Sequence, residues 1–247
     1  MAIQIMSDLH LEMPKAYDTF EIIPKAPYLA LLGDIGNIAA HEDQCLAFFT
    51  KQLKQFRVVL FVPGNHEAYE SNWKETLEVL RWFEQKFGED DSLGEFVLLD
   101  RTAYPESKRT VGKGLNDFYK IDDWDVAAHN EAHVRDLAWL NAQVAELEQA
   151  RTSVAILTHW SPTRDPVAVE PIHVFSDINS GFSTDLHKQL CFTSASVKLW
   201  AFGHTHYNCD FTVERDGSAG PLRLLTNQRG YSFQQSQGFD PEKTVRL

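Results

Sequence analysis

Short apolar runs alternate with polar segments along most of the chain. The runs cover residues 3–6, 28–32, 58–62, 96–99, 154–157 and 197–202, and polar residues or glycine close each one. Runs of this length predict buried β-strands. Between several of them, apolar residues recur at helical spacing over 41–56, 72–87 and 131–151. This alternation of strands and helices indicates an α/β fold.

Other segments lack the alternation of short strands and helices. Residues 209–225 alternate apolar and polar positions around Arg215-Asp216-Gly217-Ser218, which predicts a β-hairpin. Segments 101–125 and 161–184 have no clear period, and we expect long loops there, which in compact domains are usually functional. Nothing divides the chain, so we expect a single domain over residues 1–247.

Polar residues follow five of the six apolar runs directly. Because the carboxyl ends of strands in an α/β sheet share one edge, where ligands bind, these side chains should converge. In chain order they are Asp8, His10, Asp34, Asn65, His66, His159, His204 and His206.

The spacing of these residues predicts how they are used. Asp8 with His10, and His204 with His206, are separated by one residue, so in an extended chain both members of a pair leave on the same face. Each pair is therefore expected to grip one ion. Glycine stands beside the polar residues where a sharp turn or a close approach is needed, at Gly33, Gly64 and Gly203.

The donor set consists of carboxylate, amide and imidazole groups without thiolates. Such a set suits two divalent ions that share a bridging carboxylate. Manganese, iron or zinc fits it, whereas calcium and magnesium prefer fewer imidazoles. Residue types alone leave the identity of the metal open.

Amino-acid composition limits which binding partners and which cellular compartment are expected. With 23 basic and 35 acidic residues the formal net charge is −12, which repels long nucleic acids. The three cysteines are far apart and predict no disulfide framework, which suits a reducing compartment. No apolar stretch is long enough to span a membrane and no leader pattern is present, so we expect a soluble, cytoplasmic protein without a membrane partner.

The motifs Asp8-x-His10, Gly33-Asp34, Gly64-Asn65-His66-Glu67 and Gly203-His204-x-His206, together with His159, resemble those of the calcineurin-like metallophosphoesterase superfamily in order and spread. The resemblance implies a four-layer α/β/β/α sandwich with two mixed sheets and a two-metal site at the carboxyl edge of the strands. It implies that Asp34 bridges the ions. One ion would be held by Asp8, His10, Asp34 and His206, and the other by Asp34, Asn65, His159 and His204.

Two differences from the motifs of the phosphoprotein phosphatase branch indicate which branch of the superfamily this sequence resembles. The phosphoprotein phosphatase branch has GDxHG and GDxVDRG motifs, whereas this chain has SDLHLE and GDIGN. Asn37 stands where that branch has aspartate, and the arginine that grips phosphate is missing. The sequence is closer to compact branches, which include cyclic-nucleotide and other small-substrate phosphodiesterases.

We therefore expect a phosphoester hydrolase acting on a small phosphorylated substrate, with a cyclic or linear nucleotide-type diester favoured. The resemblance implies attack by a metal-bridging hydroxide, with catalytic roles for Asp34 and Asn65 and with His66 protonating the leaving oxygen. The alternatives are a phosphomonoesterase of small molecules and a metal-bound, non-catalytic interaction scaffold. The presence of His66 and of every ligand position favours an enzyme.

Segment 161–184 follows His159 directly and is expected to overhang the site. Nucleobase stacking on an aromatic side chain would explain phenylalanines in such a loop. The alternative for each candidate is ordinary surface packing. The candidates for substrate contact are Arg164, His173, Phe175 and Phe182.

Overall fold

The structure is a computed structural model that describes residues 2–88, 90, 92–100, 117–174, 176, 179–215, 217 and 219–246. Within these residues, two mixed β-sheets pack face to face, and helices cover the outer face of each sheet. The predicted α/β/β/α sandwich is confirmed. Most of the predicted 101–125 loop lies outside the described residues.

The first sheet has five strands. They are β1 (Ala2–Met6), β2 (Tyr28–Leu31), β3 (Val58–Phe61), β4 (Glu95–Leu98) and β11 (Thr244–Arg246). Strands β1 to β4 run parallel in chain order, and β11 pairs antiparallel with β1, so that Ala2 lies opposite Arg246.

The second sheet has four strands. They are β5 (Val154–Leu157), β6 (Val197–Phe202), β7 (Asp210–Val213) and β8 (Leu222–Thr226). Their order is β5-β6-β8-β7, with β7 antiparallel to β8. A small hairpin of β9 (Gly230–Tyr231) and β10 (Gln234–Gln235) follows.

Three helices have side-chain caps that explain where they begin. Helix α1 (Ile38–Leu53) follows Asn37, helix α2 (Trp73–Phe87) follows Asn72, and helix α4 (Val126–Gln149) follows Asp125. In each case the capping side chain accepts a hydrogen bond from a backbone N–H of the first turn. The shorter helices are α3 (Asp117–Lys120) and α5 (Leu190–Thr193), with 3₁₀ turns at His66–Ala68, Pro166–Ala168, Pro171–His173 and Asn179–Gly181.

The layers follow from the alternation of side chains along each strand. Leu29 and Leu31 pack under α1 and α2, whereas Ala30 and Leu32 pack between the two sheets. Trp200 packs on the other side of the second sheet, in the cluster that α4 and α5 cover. Three of the four apolar clusters among the described residues therefore fill the layers of the sandwich, and the strands in its middle are buried on both faces.

The six predicted strands and the 209–225 hairpin are confirmed. Helix α4 begins at Val126 rather than at residue 131, because Asp125 caps it. The sequence pattern missed β11, whose three residues include a single buried one, Val245. Among the described helices, none is long and apolar enough to cross a membrane.

Candidate metal centre

The polar residues that follow β1, β2, β3, β5 and β6 meet at one edge of the sandwich, as predicted. Their ligand atoms form three overlapping groups, and within each group these atoms lie within 4.8 Å of one another. Asp34 belongs to two of the groups and His10 to two. The groups are Asp8, His10, Asp34 and His206; Asp34, His159 and His204; and His10, Glu12 and His66.

In the first group, imidazole nitrogens and carboxylate oxygens point at one another. His10 Nε2 lies 2.9 Å from His206 Nε2, and His206 Nε2 lies 3.2 Å from Asp8 Oδ1. His10 Nε2 is 3.9 Å from Asp34 Oδ2. Two imidazole nitrogens in contact, beside two buried carboxylates, are a donor set for a cation.

The second group has the same character and lies on the other side of Asp34. His159 Nε2 lies 3.4 Å from Asp34 Oδ1 and 3.1 Å from Asn65 Oδ1. His204 Nδ1 is 3.1 Å from the same His159 nitrogen. The structure therefore brings together all seven residues that the sequence predicted as ligands, with Asp34 between the two halves.

Backbone strain marks five of these positions. Asp8, His10, Asp34, His204 and His206 all have positive φ, between 47° and 67°. Residues other than glycine in this region cost on the order of 1 kcal/mol or more each and concentrate at functional sites.

The expectation that Asp8 with His10 and His204 with His206 lie on extended chain is therefore wrong. Positive φ turns the backbone at each of these residues. Asp8 and His10 still share one group, but His204 and His206 belong to different groups. The second pair therefore spans both halves of the centre instead of gripping one ion.

Three glycines leave room for the ligands, as predicted. A Cβ atom on Gly33, which has φ +84°, would lie 2.5 Å from His159 Nδ1. A Cβ on Gly64 would lie 2.3 Å from Asp34 Oδ1, and one on Gly203 would lie 2.7 Å from Asp8 Oδ2. Any larger residue at these positions would push a ligand side chain away.

Glu67 ties two of the ligand-bearing loops together. Its carboxylate is fully buried and accepts hydrogen bonds from the backbone N–H groups of Asp34, Ile35, Gly36 and Gly64, at 2.6 to 3.1 Å. Burial and the Asp34 carboxylate raise the pKa of Glu67 to about 8, while its N–H donors favour the ionised form. The sequence motif contains Glu67, but the pattern alone assigned it no role.

Asn65 is oriented by two residues that sequence reasoning missed. Its amide nitrogen donates to Tyr69 Oη and to Asp117 Oδ1, each at 2.9 Å, and Tyr69 in turn donates to Asp117. The amide oxygen is thereby turned towards His159. Partners of this kind fix the orientation of metal ligands in other proteins.

The electrostatics of the site favour bound cations. Burial lowers the pKa of His159, but the carboxylates of Asp34 and Asp8 outweigh burial and raise it to about 10. Its Nδ1 donates to the Leu32 carbonyl at 2.7 Å, which leaves Nε2 facing the second group. Convergent lone pairs in a negative potential fit divalent metal ions, and the residues present therefore suit the ions that the resemblance implies.

His66 lies beside the first group without joining it. Its Nδ1 is 2.8 Å from Glu12 Oε1, and its Nε2 is 3.3 Å from Tyr231 Oη and 4.0 Å from Asp34 Oδ2. Burial lowers the pKa of His66, but Asp34 and Glu12 outweigh burial and raise it to about 9. The neighbouring carboxylates therefore favour the protonated form of His66.

The centre opens into a cleft of about 360 Å³. One wall is the hairpin that carries Tyr231 and the other is the 161–184 segment, from which His173 and Phe182 line the cleft. The Phe182 ring stacks on His204, with ring centroids 4.9 Å apart. The prediction that this segment overhangs the site is confirmed.

The remaining substrate-contact candidates are placed differently. Arg164 donates to the Ser183 carbonyl and is not among the described residues that line the cleft. Phe175 lies outside the described residues. A role in substrate binding stays a prediction for all four candidates.

Comparison with known proteins identifies the family. Residues 1–208 match the family described as calcineurin-like phosphoesterase. The uncharacterized protein L509 of Acanthamoeba polyphaga mimivirus is 28% identical over 276 aligned positions, and the alignment covers 97% of this chain and 94% of that protein.

Two solved structures share the fold. Phosphopantetheinyl hydrolase (PptH) from Mycobacterium tuberculosis superposes with a TM-score of 0.65 at 16% identity, covering 93% of this chain and 89% of that chain. A dimetal phosphatase from Danio rerio superposes with a TM-score of 0.51 at 18% identity, covering 92% and 86%. With the family match spanning most of its length, this chain belongs to the calcineurin-like phosphoesterase family.

Proposed function

We propose that the protein is a dinuclear metal-dependent phosphodiesterase that hydrolyses a small, nucleotide-type diester. Membership of the phosphoesterase family and two ligand groups that share Asp34 support phosphoester hydrolysis with two ions. The structural neighbours, named as a hydrolase and a phosphatase, are consistent with hydrolysis. The preference for a diester rests on the charge of the cleft.

The ligand assignment in this proposal follows the geometry. One ion would be held by Asp8, His10, Asp34 and His206, and the other by Asp34, Asn65, His159 and His204. When bound, two divalent ions supply Lewis-acid activation of the phosphoryl oxygens and of the attacking water.

His66 acts as the general acid in this scheme. The oxygen of water forms a new bond to phosphorus, the bond to the leaving oxygen breaks, and that oxygen takes the proton from His66 Nε2. One proton of the attacking water is released, so the products are a phosphomonoester and an alcohol. His66 Nε2 lies 3.3 Å from the Tyr231 hydroxyl, and both residues line the cleft, so a proton on Nε2 would face the cleft.

One observation carries the preference for a diester. The described residues that line the cleft include no lysine or arginine, but they include the carboxylates of Asp34, Asp117 and Glu170. A phosphomonoester is close to a dianion near neutral pH, because its second pKa is about 6, whereas a diester carries one negative charge. A cleft that presents three carboxylates and no lysine or arginine among its described lining residues therefore suits the singly charged diester better than the monoester.

The experiment compares bis-p-nitrophenyl phosphate with p-nitrophenyl phosphate. Metal-stripped protein is refilled with manganese, iron or zinc, and both kcat and KM are measured. Higher kcat/KM for the diester is expected, whereas higher kcat/KM for the monoester would make a phosphomonoesterase the better assignment. No turnover with any metal would contradict an enzymatic role and favour an interaction scaffold.

Two variants test whether turnover belongs to this site. Asp34→Asn is expected to abolish most of the diesterase activity while the protein stays folded. His66→Ala is expected to do so for a diester with a poorer leaving group, such as diphenyl phosphate. His187→Asn is the matched control, because His187 is an exposed histidine paired with Asp185 and belongs to no ligand group among the described residues.

A further inference from the structure

Glu12 is an acidic residue that neither ligand group of the proposed mechanism uses. It lies just after His10, in a turn whose backbone is tied to the loop that carries Asp34: His10 N donates to the Asp34 carbonyl and Leu11 N donates to the Ile35 carbonyl, both at 2.9 Å. The Glu12 side chain is only 10% exposed. A carboxylate buried to this degree needs partners, and its partners reveal its use.

A single oxygen of Glu12 contacts two histidines. Glu12 Oε1 is 2.8 Å from His66 Nδ1 and 3.2 Å from His10 Nδ1. The two imidazole rings meet edge to face, with centroids 4.4 Å apart. The other oxygen, Oε2, is buried and has no hydrogen-bond partner among the described residues. The carboxylate is therefore aimed at the two rings.

The contact decides which nitrogen of each ring faces the centre. An ionised carboxylate can only accept hydrogen bonds, so both Nδ1 atoms carry hydrogen. The free Nε2 of His10 then faces His206 and Asp34, and Nε2 of His66 faces Tyr231. In proteins generally, the partner of one ring nitrogen sets the tautomer and the direction of the other.

We propose that Glu12 is a positioning residue that orients both His10, as a ligand of the first ion, and His66, as the donor to the leaving group. This inference rests on the proposed function for the role of His66, but the geometry of Glu12 stands without it. Its consequence is that one side chain couples the geometry of metal binding to that of proton donation.

The first test measures the histidine tautomers and requires no activity. Nitrogen-15 NMR of the zinc-loaded protein, recorded at a pH at which the His66 imidazole is neutral, is expected to show His66 and His10 protonated at Nδ1. Glu12→Ala should change the His66 signals to a mixture of tautomers, whereas Glu12→Gln, whose amide oxygen still accepts, should retain much of the original pattern. Unchanged His66 signals in Glu12→Ala would overturn the inference, even if the protein hydrolysed neither test ester.

The second test uses the leaving group. p-Nitrophenolate departs without a proton, whereas phenolate is a poorer leaving group and depends on the acid. Glu12→Ala is expected to lower kcat for diphenyl phosphate by roughly 10- to 100-fold, the usual effect of losing such a partner, and kcat for bis-p-nitrophenyl phosphate by less. Glu21→Gln, at an exposed glutamate paired with Lys51, is the control.

Two further readouts separate positioning from a general structural defect. In the double variant Glu12→Ala/His66→Ala, the loss on diphenyl phosphate should exceed that of His66→Ala by no more than about threefold, since both changes remove one function. Equal losses on both esters, fully multiplicative losses, or a third bound metal ion that Glu12→Ala loses would each contradict the positioning role.

Discussion

The two sides of the cleft are built differently. The ligand side, formed by the residues after β1, β2, β3, β5 and β6, is buried, and its carboxylates accept backbone N–H groups from neighbouring loops: Asp34 accepts from His66 N, and Asp8 accepts from His204 N. On the 161–184 side, Thr184 N donates to the Ser161 carbonyl at the base of the segment, Ala168 is buried in the core and Ile172 is exposed.

This difference assigns separate roles to the two sides. Side chains held from several directions keep ligand geometry within narrow limits, which two-metal chemistry requires. Exposed positions of this segment, such as Ile172, can change without disturbing the sheets. In the proposed function, the ligand side carries the reaction and the loop side is where substrate selection is expected.

Among these predictions, the largest effect is expected for a change to Asp34, the residue that the two ligand groups share. Asp34→Asn takes away one negative charge between the two groups, so we expect activity to fall by more than roughly 100-fold and the bound metal to decrease. Elemental analysis and diesterase assays measure both effects. Asp185→Asn, at the exposed partner of His187, is the control, and an Asp34→Asn protein that keeps its metal and its activity would contradict the assignment.

The next largest effect is expected for a change to Glu67, which is not a predicted ligand but hydrogen-bonds the backbone of two ligand-bearing loops. Glu67→Gln places an NH2 group against two of the four backbone N–H donors, so about 2 kcal/mol of unfolding free energy should be lost, together with activity. Urea unfolding measures the loss, with Glu42→Gln as an exposed control. An unchanged midpoint would show that Glu67 is not what joins the two loops.

Changing the loop side should alter binding and leave the chemistry intact. Phe182→Ala removes the ring that stacks on His204, and because stacking of a base on an aromatic ring contributes about 1–3 kcal/mol, KM for a nucleotide diester should rise several-fold or more. The kcat value should change less. A KM that stays the same for nucleotide and non-aromatic diesters would remove Phe182 from substrate recognition.

The smallest expected effect is a pH dependence of stability caused by His133, which lies on helix α4 outside both sides of the cleft. Burial and the nearby His129 lower the pKa of His133 from 6.5 to about 4. The unfolded chain therefore takes up a proton that the folded protein refuses, so stability should decrease as the pH falls from about 6.5 to 4. His133→Gln should flatten that part of the stability curve relative to His187→Gln. A curve of unchanged slope would show that His133 does not cause the dependence.

The ligand positions were predictable because they obey a local rule. Asp34 and His159 each follow an apolar run closely, and the shared edge of α/β strands brings such residues together wherever the strands lie in the chain. The same rule located the sheets, whose strands are buried on both faces and read as apolar runs. Short elements such as β11 carry too few apolar residues to stand out.

The partners of the ligands could not be predicted in this way. Asp117 reaches Asn65 across 52 positions and Tyr231 reaches His66 across 165, and no local pattern records such contacts. The left-handed backbone at His204 and His206 is equally hidden, because Gly203-His204-Thr205-His206 reads as well in an extended conformation. Sequence reasoning therefore found which residues meet but not how they are held.

The pairing of β1 with β11 has a consequence for the order of folding. Strand β1 leads to Asp8 and His10, and it is held by residues from the far end of the chain: Gln4 Nε2 donates to the Pro241 carbonyl and Asn227 Nδ2 donates to the Ile5 carbonyl. Contacts between such distant residues form slowly. Because residues 2–6 are synthesised long before residues 227–246, strand β1 cannot complete its pairing and hydrogen bonds until those later residues are available.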